Sequence, residues 1–322
     1  MEDVVIASAV RTPTGKLMGS LSALPAPELF SRVIIEALKN AGLKPSEVDE
    51  VIMGNVLSAG LGQNPARQAA VSAGIPYGAS ALTVNMVCAS GLRAVALGAG
   101  AIRLGEAEVV IAGGAESMSN APYLVKEMRR GKRLGDSKLV DSLVHDALWD
   151  CYYDSHMGSL CELAVKKYKI TRAEQDRFAL GSHRKAQGAA ERGDFKDEIV
   201  PISVGGRVIG NDETIRKETN LKTLARLKTV FKKDGTITAG NAPGLNDGAA
   251  CLLLMSAKKA KELKIKPLAV IVGHASAHRD PKWYTLAPVR SVKALLKKTG
   301  LKIDDFDLIE ENEAFAAQTI AV

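Results

Sequence analysis

The sequence predicts an α/β fold: two related βαβ cores packed together, with an inserted loop domain between them and a second core that is incomplete. Three observations predict this. Apolar strand-like runs alternate with amphipathic helical stretches over residues 1–119, the texture turns polar and irregular over 120–244, and alternation resumes over 245–322. These are also the expected domain boundaries: an N-terminal core, an inserted domain and the start of a C-terminal core.

In the first core, VVIASAV, ELFSRVIIEALKNAG, EVDEVIMGNV, PARQAAVSAG and ALTVNMV read as strand and helix in turn. That order predicts a mainly parallel sheet covered by helices. CASGLRAVALGAGAIRLG carries small and apolar residues around most of its circumference, which predicts a helix buried on nearly every side. EVVIAGGAESMS closes the core as strand plus loop. In the insertion, MRRGKRLGDSKLVD predicts an exposed basic excursion, and TRAEQDRFALGSHRKAQGAAERG a helix with Thr171 as N-cap and Glu174 at the capping-box position. The second core is expected to open with ACLLLMSAKKAKELK and PLAVIVGHASA. It then continues through the helix APVRSVKALLKKTG, the strand FDLIEENEAF and the helix AFAAQTIAV.

The chain has 322 residues, 46% apolar and 25% charged, an ordinary soluble composition long enough to bury a core without disulfide or metal staples. No apolar run is read as reaching the roughly 18 residues of a membrane span. The N-terminus, MEDVVIASAVRT, opens with two acids and passes directly into a strand, so the expected compartment is the cytoplasm and no membrane partner is expected. Four cysteines, Cys88, Cys151, Cys161 and Cys251, form no CxxC pair, which argues against a zinc ribbon or a disulfide framework. Lys and Arg number 43 against 36 Asp and Glu, a net charge of +7, and the whole excess lies after residue 120. Such a balance suits either a solvated surface or a polyanionic small molecule. The aromatics are too few and scattered for single-stranded nucleic acid, which is not an expected partner.

Cys88 is the most informative thiol, because it lies where the strand LTVNMV turns into a helix starting Ala89, Ser90, Gly91. Unpaired N–H groups and the helix dipole favour a thiolate there, and Gly91 would let another backbone or a substrate come close. The alternative is a small buried hydrophobe, the role expected of Cys151, Cys161 and Cys251. A thiolate nucleophile needs a proton acceptor and oxyanion donors; spacing does not choose among His145, His156, His183, His274 and His278. NEAFAAQ places Asn312 and Glu313 just beyond an expected strand end, where α/β sheets hold ligands. TAGNAPGLNDGAA, with Gly240, Gly244 and Gly248, is either a ligand-contacting loop or a turn.

GQNPARQAA, VNMVCASGLRAVALG, GGAESMSNAPYL, HMG, TAGNAPGLNDGAA and NEAFAAQ occur in order, and with them the chain, from Val4 to Val322, resembles the thiolases, most closely the biosynthetic acetyl-CoA acetyltransferases. The resemblance implies a thiolase-like fold, and an acyltransferase in which Cys88 takes the acyl group from an acyl-CoA. A second acetyl-CoA, deprotonated at its methyl carbon, then attacks the acyl-cysteine to give acetoacetyl-CoA and CoA, or the reverse thiolysis runs. It further implies that Asn312 holds a water in the enolate's oxyanion site and that His156 lines the pantetheine channel. By the same likeness, Arg216, Leu148 and Thr223 contact the nucleotide end of CoA, and Ala314 and Phe315 lie near its pantetheine and acyl end. CoA thioesters would be substrates, with no tightly bound cofactor, and the chain would form a homodimer or homotetramer, the excursion near 121–140 resembling a tetramer-forming loop.

Three substitutions depart from the family pattern. Pro243 replaces a serine that bonds the pantetheine, Tyr284 a methionine beside the acyl pocket, and Thr223 a serine near the adenine. Neither the GHP motif, which supplies the histidine that activates the nucleophile, nor CxGGG, which supplies the base for the second substrate, occurs in the sequence. The expectation is therefore a chain lacking the family's C-terminal segment, with low turnover. Two other readings are weighed: an impaired acyl-CoA-binding homologue or subunit needing a partner, and a ketoacyl synthase-like condensing enzyme.

Overall fold

The computed structural model describes residues 2–322, in two compact units. The first runs to Ala147 and takes in Lys196–Thr214 and Leu245–Val272; the second is made of Leu148–Phe195, Ile215–Gly244 and Gly273–Val322. The expected insertion at 120–244 is thus shared between the units.

In the first unit the expected elements form in order: β1 (Val4–Arg11), α1 (Ala26–Ala41), β2 (Glu50–Gly54), α2 (Pro65–Ser72), β3 (Ser80–Val84), α3 (Ser90–Leu104) and β4 (Val109–Ser117). Strand alternation sorts the side chains into two layers. Val51, Met53, Val109 and Ile111 pack with α1 and α2, while Ile52, Val110 and Ala112 pack with α3. Small residues bring α3 down onto the sheet: a side-chain carbon at Gly98 would sit 2.9 Å from Val110 Cγ1.

The sheet corrects two expectations. It is mixed rather than mainly parallel, because β5 (Asn246–Ser256) lies between β1 and β4 and runs antiparallel to both, pairing Val4 with Ser256 and Val109 with Met255. The segment expected to open a second core at 245 is instead a central strand of the first. Its run AACLLLMS is apolar on both faces, as a strand covered by helices on either side requires. β2 pairs in parallel fashion with β3 and β4. β5 leads into α6 (Ala257–Glu262), and β6 (Ala269–Val270) closes the edge beside β1.

α3 is also less enclosed than predicted. Ala94, Gly98, Ala99 and Ile102 are buried, but Leu92 is 79% and Leu104 76% exposed, since one face of the helix meets no layer of this unit. Val87–Leu104 is in addition long and apolar enough by composition to span a membrane, contrary to the reading that no run reaches that length; its packed face is that of a helix on a sheet.

The second unit is helical. α4 (Met157–Tyr168) is followed by α5 (Arg172–Arg192), which begins at the capping box read from the sequence: Thr171 Oγ1 accepts from the Glu174 N–H, and Glu174 accepts from the Thr171 N–H. α8 (Ala316–Ala321) packs around Cys161, Val165, Ile237, Phe315 and Ala317, while α7 (Ala287–Thr299) buries none of its own residues. FDLIEENEAF forms no strand. Residues 301–310 are exposed, and without a neighbouring strand the alternation has no ladder to join.

Candidate functional site

The nucleophile candidate is built by three features of the first unit. Val87 adopts φ +50°, a conformation costly for a β-branched residue, immediately before Cys88. The Ser90 hydroxyl holds this elbow, donating to the Val87 carbonyl at 2.6 Å and accepting from the Met86 N–H at 2.8 Å. Gly54 at the end of β2 lets the start of α3 seat against it, a close approach that the sequence reading had placed at Gly91; a carbon added at Gly91 finds only ordinary contacts.

Cys88 is exposed, as a nucleophile must be, whereas Cys161 and Cys251 are buried and burial pushes the Cys161 thiol up to about 12. Cys151 is exposed as well, which departs from its expected packing role. At Cys88 the surroundings act against the favoured thiolate that the helix start suggests. Desolvation, with a contribution from the Glu116 carboxylate, raises its pKa above the ordinary thiol value, outweighing the backbone hydrogen bond that favours the anion. Glu116 is fixed by the Val56 and Leu57 N–H groups at 2.9 and 3.0 Å and by Asn55 Nδ2 at 2.8 Å. The elbow therefore presents a thiol that needs a base.

The other expected residues belong to the second unit. The HMG segment caps α4: His156 Nδ1 accepts from the Gly158 N–H at 3.0 Å, so the imidazole is neutral at that nitrogen, and burial lowers its pKa. Its ring stacks on Phe231 with centroids 4.6 Å apart, and Phe231 meets Phe315 edge-on at 5.8 Å. Gly158 is required here, because a side-chain carbon would meet the Phe231 ring. His156 and Phe231 face an open cleft of about 460 Å³, with Trp149, Asp154 and Ser159 among its walls. Apolar rings with a few polar groups suit a thin, largely apolar chain bearing amides. Leu148 is half-buried nearby in sequence.

Phe315 is buried, Ala314 half-buried and Asn312 exposed, on a turn where the Ala314 N–H returns to the Asn312 carbonyl at 2.9 Å. No strand precedes that turn, so Asn312 does not follow a strand end. Arg216 is exposed; its Nη1 reaches the Ala239 carbonyl at 3.5 Å. Thr223 is exposed, and its hydroxyl is engaged in capping, donating to the Asn220 carbonyl at 2.8 Å. Tyr284 packs in the same apolar cluster as Phe231 and Ala314 and donates to the Met157 carbonyl at 2.9 Å.

Sequence reasoning missed Phe231, which follows no periodic pattern, and Asn241, within TAGNAPG. Asn241 is buried and ties three segments together. Its Oδ1 accepts from the Thr238 N–H at 2.8 Å, its Nδ2 donates to Asp176 on α5 at 3.0 Å, and its carbonyl accepts from the Ala316 N–H at 3.0 Å. The glycine-rich stretch is thus a loop pinned between α5 and α8, which a polar residue between small ones foreshadows only weakly.

Against known proteins, residues 4–258 match the family profile "Thiolase, N-terminal domain" and residues 265–322 "Thiolase, C-terminal domain". The acetyl-CoA acetyltransferase of Pseudomonas aeruginosa is 53% identical over 327 residues, and that of Cupriavidus necator 52%; each alignment covers 100% of this chain and 83% of the relative. The crystal structure of the Bacillus anthracis acetyl-CoA acetyltransferase superposes with a TM-score of 0.97 at 44% identity, covering 100% of this chain and 82% of that one. The boundary between the two profiles near 260 agrees with the placement of β5 in the first sheet.

Proposed function

The chain belongs to the thiolase family, and from that premise we propose that it is an acetyl-CoA C-acetyltransferase working through an acyl-cysteine at Cys88. The observation that carries this reading is the exposed Cys88 thiol on its strained elbow, the one of the four cysteines that joins exposure to a fixed strand-to-helix turn. In the first half-reaction the Cys88 sulfur, losing its proton to a base, attacks the thioester carbonyl of acetyl-CoA. The tetrahedral oxyanion then collapses, the C–S bond to the carrier breaks, and the CoA thiolate leaves and takes up a proton. Thioester is exchanged for thioester, so the intermediate keeps the activation. In the second half-reaction the methyl carbon of another acetyl-CoA gives up a proton and its enolate displaces Cys88, forming acetoacetyl-CoA; thiolysis is the reverse.

In this reading the carrier's contacts follow the family likeness. His156 and Phe231 present an apolar channel wall for pantetheine, Ala314 and Phe315 line its acyl end, and Arg216, Leu148 and Thr223 meet the nucleotide. Asn312, its side chain making no hydrogen bond among the described residues, is available to hold water for the enolate oxygen. CoA thioesters are substrates rather than resident cofactors. The same reading makes the protein a cytoplasmic homodimer or homotetramer, in keeping with the exposed excursion that bears Leu134 and Leu139.

The test is intact mass after incubation with acetyl-CoA. An acetyl adduct lost in Cys88→Ala supports the acyltransferase. CoA binding without any adduct favours the second reading, an acyl-CoA-binding homologue or a subunit completed by a partner.

A further inference from the structure

Two neighbouring side chains on α5 point to a role that the family motifs do not touch. His183 and Ser182 are half-buried on that helix. The Arg216 N–H donates to His183 Nδ1 at 3.3 Å, while the Ser182 hydroxyl donates to Glu313 Oε2 at 2.8 Å, one residue from Asn312. Arg216 is otherwise held through its carbonyl, which accepts from the Thr219 N–H at 3.3 Å within the same turn, and at the tip of its side chain, where Nη1 approaches the Ala239 carbonyl at 3.5 Å. The exposed stretch around it, Arg216 to Glu218, forms no strand or helix that would fix its backbone.

We propose that His183 is a positioning residue for CoA: by accepting the Arg216 backbone N–H it fixes the loop from which the guanidinium reaches the nucleotide's phosphates. The role needs an imidazole with an unprotonated Nδ1, since a protonated ring has no acceptor there. The charged groups facing His183 are Arg216 and Glu313. Burial first, then the Arg216 guanidinium, keep the ring neutral, with Glu313 acting in the opposite sense. A mobile arginine pays side-chain and loop ordering on binding, so a pre-fixed backbone raises affinity without making a new contact to the ligand. Because the tether is at the nucleotide end, its loss should spare ligands that lack a nucleotide.

The inference rests on the reading that Arg216 meets the nucleotide, and the experiment separates the two. Binding of CoA and of 4′-phosphopantetheine is measured by titration calorimetry for the wild type, His183→Ala and His183→Asn, whose Oδ1 stands near the place of Nδ1. The expected result for His183→Ala is CoA affinity weakened by about five- to tenfold, the loss typical of one hydrogen bond, with phosphopantetheine binding unchanged. His183→Asn should bind CoA within about twofold of the wild type; should the alanine variant fail to fold, His183→Leu, which fills the space without an acceptor, carries the test, with the same loss of CoA affinity expected and wild-type CoA affinity overturning the proposal. Unchanged CoA affinity in His183→Ala, or equal loss of both ligands, overturns the role of His183. An Arg216→Ala protein that binds CoA as well as the wild type would instead overturn the nucleotide reading itself.

Discussion

Gly54 ends β2 directly against Ser90 at the start of α3: a side-chain carbon at Gly54 would lie 2.6 Å from the Ser90 carbonyl carbon and 2.7 Å from the Gly91 nitrogen. Both obstacles are backbone, so no rotamer change relieves them. Gly54→Ala should therefore lower stability by about 3 kcal/mol, at the upper end for overpacking. Urea unfolding measures this; a midpoint equal to that of the wild type would show that α3 shifts without cost.

The raised pKa of Cys88 has a kinetic signature. Thiolate is the reactive form, so alkylation by iodoacetamide should be slow at neutral pH and climb over a range above the ordinary thiol pKa. Part of that rise comes from Glu116, and Glu116→Gln should speed alkylation near pH 7. Mass spectrometry of time courses, with Cys88→Ala subtracting other thiols, gives both profiles. A rate already at its plateau at pH 7 would contradict the predicted direction.

In the second unit, Gly158→Ala would drive a methyl group into the Phe231 ring. The ring can turn away, but only by giving up its stack on His156 and its edge contact with Phe315. A stability loss of about 1–3 kcal/mol is expected, together with weaker CoA binding in calorimetry. Intact CoA affinity with reduced stability would separate the aromatic stack from the channel.

Removing the Asn241 amide strands several partners at once. Asn241→Ala leaves the buried Thr238 N–H without an acceptor and takes one donor from the Asp176 carboxylate, which keeps Arg172 at 2.8 Å. An unsatisfied buried group costs about 1–3 kcal/mol, so the melting temperature should fall. Hydrogen exchange at the Ala316 amide, which is tied to the Asn241 carbonyl, should quicken; if it does not, α8 is held independently of this loop.

What was legible in the sequence was local. The Thr171–Glu174 box, the alternation from Val4 to Ser117 and the turn bearing Cys88 each rest on residues a few positions apart, where propensity and capping act directly. What was not legible depended on distant partners. Nothing near Asn246–Ser256 says that its neighbours will be Val4–Arg11 and Val109–Ser117, and nothing near Phe306–Glu311 says that no strand will come alongside. The helix at Ser90–Leu104 carries an all-round apolar pattern, yet only one side meets the sheet, because a pattern specifies what can be buried and the neighbours decide what is. Cys88, His156 and Asn312 stood out through their motifs, while Phe231 and Asn241 are placed by contacts to residues far away in the sequence, Phe231 against His156 and Phe315 and Asn241 against Asp176 and Ala316.

The central place of β5 shapes how the protein is made. β1 and β4 both take it as their neighbour, yet roughly 130 residues separate the end of β4 from its start. At typical synthesis rates of about 5–20 residues per second the gap lasts on the order of ten seconds. During that interval the nascent chain carries two open ladder edges with nothing yet translated to fill the slot between them, which makes early synthesis the stage at which chaperones have most to shield.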